Sequence, residues 1–130
     1  MTPEGKIKAK INKLIKELGD TVYKFMPLPA IEGRGAPGLD YYLCAGGQWF
    51  AVEAKANEKE LVTTRQIETM NQIRRAGGRV FVVYDDETVR ELEEALHRQS
   101  HTRWIARGDI SIHITNPAWK VRNELRSENQ

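Results

Sequence analysis

Two strand-like runs, Leu39 to Ala45 and Gln48 to Lys55, are separated by nothing but Gly46-Gly47. A Gly-Gly pair between such runs signals a tight hairpin, because both turn positions then accept the positive φ that a two-residue turn demands. The turn also fixes the register. Ala45 faces Gln48, Cys44 faces Trp49, Leu43 faces Phe50, Tyr42 faces Ala51 and Tyr41 faces Val52. One step further, Asp40 is set opposite Glu53. Directly opposed residues hold their Cβ atoms about 4.5–5.5 Å apart on one face of a sheet. The turn alone therefore predicts two carboxylates side by side, unless a longer loop or a bulge shifts the pairing.

Like charges across a ladder destabilise it unless something compensates. Lys55, two residues beyond Glu53, shares its face of the strand. Two acidic oxygen donors beside an ammonium suit a hard divalent cation such as Mg²⁺. Taken singly, these residues have ordinary readings. A Glu-x-Lys triplet on an exposed strand is a solvated face, and an Asp where a loop enters a strand is a turn residue. Their co-location on strands rich in Tyr, Leu, Trp, Phe and Val favours a functional site.

The flanking chain supplies the other elements. Thr2-Pro3 starts a helix, with Thr as N-cap and Pro at the first helical position. Ile7, Ile11, Leu14, Ile15 and Leu18 recur at helical spacing up to Gly19, with Lys6, Lys8, Lys10, Lys13 and Lys16 mostly on the other side. Glu4 shares the core-facing stripe, where a first-turn Glu complements the helix dipole. Val22 to Leu28 reads as a strand, and Pro29 to Pro37 as a Gly/Pro-rich loop. Thr63 to Ala76 reads as a helix with Ile67, Met70 and Ile73 inward, stopped by Gly77-Gly78. Arg79 to Tyr84 is a buried-strand run. Asp85 or Asp86 caps a helix that runs through His97. Ile110 to Thr115 reads as a last strand, Asn116-Pro117 starts a terminal helix, and Arg126 to Gln130 forms a tail. Residues 1–125 are expected to form one domain, and the element order implies α/β layers around one mixed sheet.

Pro37-x-x-Asp40, Glu53-Ala54-Lys55 and Gln66 in the following helix resemble the PD-(D/E)XK nuclease superfamily. More narrowly, the chain is similar to the VRR-NUC (virus-type replication-repair) nucleases, including small phage-encoded members. The similarity runs from about Pro3 through Tyr84. It includes Gly35-Ala36-Pro37 before Asp40, and Thr64-x-Gln66 before a helix ending in Gly77-Gly78. The family usually has Pro and Asp adjacent, whereas Gly38 and Leu39 intervene here. Adjacency would put the ligand on Gly38, which has no donor, and the hairpin register favours Asp40.

The resemblance implies a restriction-endonuclease-like domain with an αβββαβ core. It also implies a divalent-metal-dependent DNA endonuclease, nicking or specific for branched or junction DNA. Asp40, Glu53 and the main-chain carbonyl of Ala54 would hold Mg²⁺ or Mn²⁺, and Lys55 would orient or help deprotonate the attacking water. Glu4 would complete the site, directly or through a water. Gln66 would contact the site or a phosphate, although Thr63-x-x-Gln66 is also a capping box. Stand-alone relatives of this kind are usually homodimers acting on duplex or branched DNA. The reading from another class is a catalytically silent nucleic-acid-binding module of the same fold. The intact Asp40, Glu53 and Lys55 set argues against it.

Composition narrows the partners. Lys and Arg total 20 against 18 Asp and Glu, a formal charge of +2, which excludes a histone-like polycation. The basic face of the first helix, with Lys59, Arg65, Arg74, Arg75 and Arg79, is the candidate phosphate surface, and Arg34 lies in the loop before Asp40. A single cysteine, Cys44, excludes an internal disulfide framework and reads as a buried small hydrophobe. His97 and His101 lack partners for a zinc site in the sequence pattern. Trp49, Trp104 and Trp119 read as core or interface residues. No apolar run approaches the roughly 18 residues of a membrane-spanning helix, and the N-terminus lacks an apolar signal core, so an intracellular, cytoplasmic protein is expected.

Overall fold

The hairpin forms in the expected register, with Tyr41 to Ala45 paired antiparallel to Val52 through Gln48. Gly46 and Gly47 carry the turn at φ of 57° and 79°, values that only glycine adopts freely. The computed structural model describes residues 1–27 and 38–100. Their order is α1 (Pro3–Leu18), a 3₁₀ turn (Gly19–Thr21), β1 (Val22–Phe25), β2 (Tyr41–Ala45), β3 (Gln48–Ala54), α2 (Thr64–Arg75), β4 (Arg79–Val83) and α3 (Asp86–Ser100). The sheet order is β1-β2-β3-β4, antiparallel up to β3 and parallel between β3 and β4. A parallel pair needs a crossover, and α2 supplies it.

The strand alternation splits the core into two layers. Tyr41, Leu43, Phe50, Val52, Ala54 and Val83 pack on Ile7, Ile11, Leu14 and Ile15 of α1 and on Leu92, Ala95 and Leu96 of α3. On the opposite face, Ala51 and Leu39 pack with Met70 of α2, together with Tyr42, Val80 and Val82. Covered on both faces and paired on both edges, β3 is buried from Phe50 onward. A central strand of this type normally reads as a continuous apolar run, and Glu53 is the exception.

Local chemistry places the helices as expected. The Thr2 hydroxyl accepts from Gly5 N at 3.0 Å ahead of Pro3, and the Asp85 carboxylate accepts from Thr88 N at 2.8 Å at the start of α3. Two expectations need correction. The first strand ends at Phe25, and Leu28 lies outside the described residues. Ile67 is 47% exposed and not inward. Gln66, Met70 and Ile73, at i, i+4 and i+7, form the inward stripe of α2, which turns Ile67 aside. The expected loop 29–37, the strand at 110–115, the helix after Asn116 and the tail from Arg126 lie outside the described residues, as do Arg34, His101, Trp104 and Trp119.

A Cβ at Gly47 would meet nothing within 4 Å, so Gly47→Ala tests the turn conformation without a steric clash. Left-handed backbone costs a non-glycine residue about 1–2 kcal/mol. Thermal unfolding should show Gly47→Ala destabilised by that amount.

Candidate active site

At the end of the hairpin away from its turn, the chain bends at Asp40 and the ladder stops at Tyr41–Val52. Asp40 and Glu53 adjoin, but through side chain and main chain, not as a further ladder pair. Asp40 N donates to Glu53 Oε2 at 3.1 Å, and Ala54 N donates to Asp40 Oδ2 at 2.8 Å. The bend lets the Asp40 carboxylate cap the exposed end of β3, where no β2 residue remains to pair with it.

The main chain of β3 aims a further oxygen toward this point. Lys55 N donates to Val83 O at 2.9 Å, so that peptide's N–H faces β4. In a trans peptide the carbonyl points the opposite way. The Ala54 carbonyl is therefore turned away from β4, to the side on which Asp40 lies.

Among the described residues, Glu53 and Lys55 are the charged side chains that are buried, at 4% and 6% exposure. Burial chiefly, and the Asp40 charge next, push the Glu53 carboxyl up to about 7, against the opposing effects of the Asp40 N–H and Lys55. Lys55 Nζ lies 3.9 Å from Glu53 Oε1 and donates to Gln66 Oε1 at 3.3 Å. Gln66 Nε2 donates to Glu53 Oε1 at 2.9 Å. The two readings of Gln66 are thus compatible. Its Oε1 also accepts from Thr63 N at 3.0 Å, and Thr63 Oγ1 accepts from Gln66 N at 3.2 Å, completing the capping box. Capping fixes the residue whose amide group bridges Glu53 and Lys55.

The two carboxylates and the Ala54 carbonyl are hard oxygen donors of the kind Mg²⁺ and Mn²⁺ prefer. The donor set fits a divalent cation. Glu4 stands apart from the pair. It joins Asp40 through Lys8, whose Nζ is 3.9 Å from Glu4 and 3.4 Å from Asp40 Oδ1. Among the described residues no group of three or more His, Cys, Asp or Glu gathers to hold a metal.

Lys8 is the site neighbour that the sequence pattern missed. It was grouped with the outward lysines, yet it follows Glu4 by four residues and so shares Glu4's stripe. Two other candidate phosphate contacts are engaged elsewhere. Lys10 pairs with Asp86 of α3, and Arg79 lies at the far end of β4 with its guanidinium over the Phe50 and Phe81 rings at 5.5 and 5.1 Å. Arg65 opens on a cleft of about 470 Å³ lined also by Tyr42, Thr69 and Gln72. Cys44 is half-buried, a correction to its reading as a core residue. Trp49 is 45% exposed and stacks on Tyr42 with centroids 5.4 Å apart.

A mixed sheet between α2 and the α1–α3 pair, with an acid at the end of each hairpin strand and a lysine following the second acid, is the architecture of a restriction-endonuclease-like nuclease domain. The comparisons narrow the class. A solved structure described as "VRR_NUC domain" is 25% identical, with 72% of this chain and 97% of that chain covered at a TM-score of 0.60. The chain has the fold of the VRR-NUC family, as its motifs implied. Neither a protein-family model nor a curated protein sequence matches the chain.

A group whose folded-state carboxyl is raised is destabilising where it is charged, so the Glu53 contribution weakens as pH rises from about 4.5 to about 7. Glu53→Gln removes that charge and leaves other titrations in place. Relative to the wild type without metal, its melting temperature should be more favourable at pH 8 than at pH 5. A difference that is flat or reversed with pH would show that the Glu53 charge is not strained.

Proposed function

We propose that the protein is a divalent-metal-dependent DNA endonuclease that hydrolyses phosphodiester bonds. The observation that carries this reading is the meeting of Asp40, Glu53 and buried Lys55 at one end of the sheet, with Gln66 bonded to both Glu53 and Lys55. A buried carboxylate and a buried lysine stabilise a fold poorly compared with apolar residues of similar size. Their retention here points to chemistry.

Asp40, Glu53 and the Ala54 carbonyl would hold Mg²⁺ or Mn²⁺, which supplies Lewis-acid activation of water and neutralises phosphate charge. Lys55 presents its ammonium from a position fixed by Glu53 and Gln66. It orients the incoming water and offsets the negative charge that grows as the new P–O bond forms and the ester P–O bond breaks. Gln66 holds Glu53 Oε1 in place, so that the carboxylate does not turn onto Lys55 as a closed ion pair. The Arg65 cleft offers a route for the sugar-phosphate backbone. The finer reading is nicking or cleavage of branched DNA by a homodimer. Sedimentation velocity, and cleavage of four-way-junction beside linear duplex DNA, test it.

The deciding experiment incubates supercoiled DNA with Mg²⁺, Mn²⁺ or EDTA. Cleavage is expected with metal and not with EDTA, and Lys55→Ala should lose about 10²–10⁴-fold in rate, with Glu53→Ala at background. Activity persisting in EDTA or in both variants would overturn the mechanism. Binding of DNA without cleavage under every metal condition would favour the silent module.

Gln66 can be separated into its two parts. Thr63→Ala removes the helix cap at a cost of about 1 kcal/mol and should leave cleavage within a few-fold of the wild type. Gln66→Ala also strips a partner from buried Glu53 and Lys55, so it should cost more stability than Thr63→Ala and reduce cleavage at least tenfold. Equal activity of the two variants would make Gln66 a cap alone.

A further inference from the structure

We infer that Lys8 is a tethered counter-cation of the candidate site, which holds Asp40 in the metal-free protein and passes to Glu4 when a divalent cation binds. The inference rests on the proposed role of Asp40 as a metal ligand.

The division of labour between the two Asp40 oxygens carries it. Oδ2 is occupied by the Ala54 N–H at 2.8 Å. Oδ1 is the oxygen left to face a cation, and Lys8 Nζ stands 3.4 Å from it. An ammonium and a divalent ion on one carboxylate oxygen repel each other, so binding of the second requires the first to move. Glu4 is the receiving group, already 3.9 Å from the same Nζ and one helical turn away. Lys8 and Glu4 side chains are 35% and 39% exposed, which leaves the ammonium free to swing between them.

The helix itself does not need to shift. Tyr41, fully buried in the strand next to Asp40, donates its hydroxyl to Lys8 O at 3.4 Å. That contact is long, but Ile7 and Ile11 on either side of Lys8 are packed in the core, which holds the helix and leaves the Lys8 side-chain torsions as the moving part. The charges agree with this arrangement. Without metal, two carboxylates at the sheet end face two lysines, Lys55 and Lys8. A divalent cation balances both carboxylates by itself and leaves both ammoniums in excess; Lys55 is held in place by burial and Gln66, so Lys8 is the one able to move.

Isothermal titration of the full chain with Mn²⁺, without DNA, tests the inference on the wild type, Lys8→Met, Glu4→Gln and the double variant. Lys8→Met should bind Mn²⁺ about three- to tenfold more tightly, as expected for removal of a partly exposed competing charge. Glu4→Gln should weaken binding in the wild-type background and have no effect beside Lys8→Met. Lys8→Gln repeats the first comparison with a polar side chain. Melting temperatures add a readout that a merely structural role would not move in this way. Lys8→Met should melt lower than the wild type in EDTA and gain more from Mn²⁺.

Unchanged or weaker Mn²⁺ binding by Lys8→Met would overturn the inference. So would a Glu4→Gln effect of equal size in both backgrounds, which would make Glu4 a ligand. If Mn²⁺ binds and DNA is cut while Lys8→Met behaves as the wild type, the inference alone falls. If neither protein binds Mn²⁺, the metal-dependent reading falls with it.

Discussion

Two carboxylates at the end of an apolar sheet are the constraint around which this protein is arranged. Burying Glu53 beside Asp40 opposes two strong preferences at once, since a charge resists desolvation and like charges resist proximity. The surrounding groups answer that opposition one at a time. The Asp40 N–H takes one Glu53 oxygen and the Gln66 amide the other. The Ala54 N–H takes one Asp40 oxygen and leaves the second to Lys8. Lys55 supplies positive charge within 3.9 Å of Glu53. Two main-chain N–H groups, Gln66 and two lysines are thus committed to holding the pair.

The topology makes those commitments possible. Because β3 and β4 run parallel, α2 must cross the sheet between them, and its first turn arrives over the end of β3 where Glu53 emerges. Gln66 stands at the third helical position, where a capping box requires a Glu or Gln. The same side chain therefore closes the helix terminus and reaches Glu53. On the other side, α1 brings Lys8 to Asp40 because Ile7 and Ile11 pack the helix onto the sheet beside Tyr41, whose hydroxyl also reaches Lys8 O. The Tyr41 hydroxyl, pushed up to about 12 by burial and then by the Asp40 charge, stays a hydrogen-bond donor throughout the working pH range.

Much of this was legible in the sequence, for identifiable reasons. Gly46-Gly47 set the register, and the register brought Asp40 to Glu53 and Lys55 to the same end of the sheet. These are local rules with a period of two. What the pattern missed depends on contacts between distant elements. The bend at Asp40, which turns an expected ladder pair into reciprocal side-chain bonds, follows from β3 outlasting β2. Ile67 looked inward by helical spacing, yet the stripe was decided by the polar Gln66, since its partners Glu53 and Lys55 lie beneath it. Lys8 reads with the basic face of α1, the candidate phosphate surface, because the lysines lie mostly away from the apolar stripe. Its spacing from Glu4 was the available sign to the contrary.

The same contacts alter what a formal charge of +2 means for this chain. The total counts every lysine and arginine as open to a partner, but several are already engaged. Lys55 and Lys8 balance the two carboxylates, Lys10 is paired with Asp86, and Arg79 lies over two aromatic rings. Long-range attraction of a polyanion scales with the charges a surface can present to it. Among the described residues of the candidate phosphate surface, those are the remaining lysines of α1, Lys59 and the arginines of α2. On the proposed reading, a divalent cation held by Asp40 and Glu53 would reverse the sign of the charge at that end of the sheet. Attraction for phosphate at the sheet end would then follow the occupancy of that one site more closely than the composition of the chain.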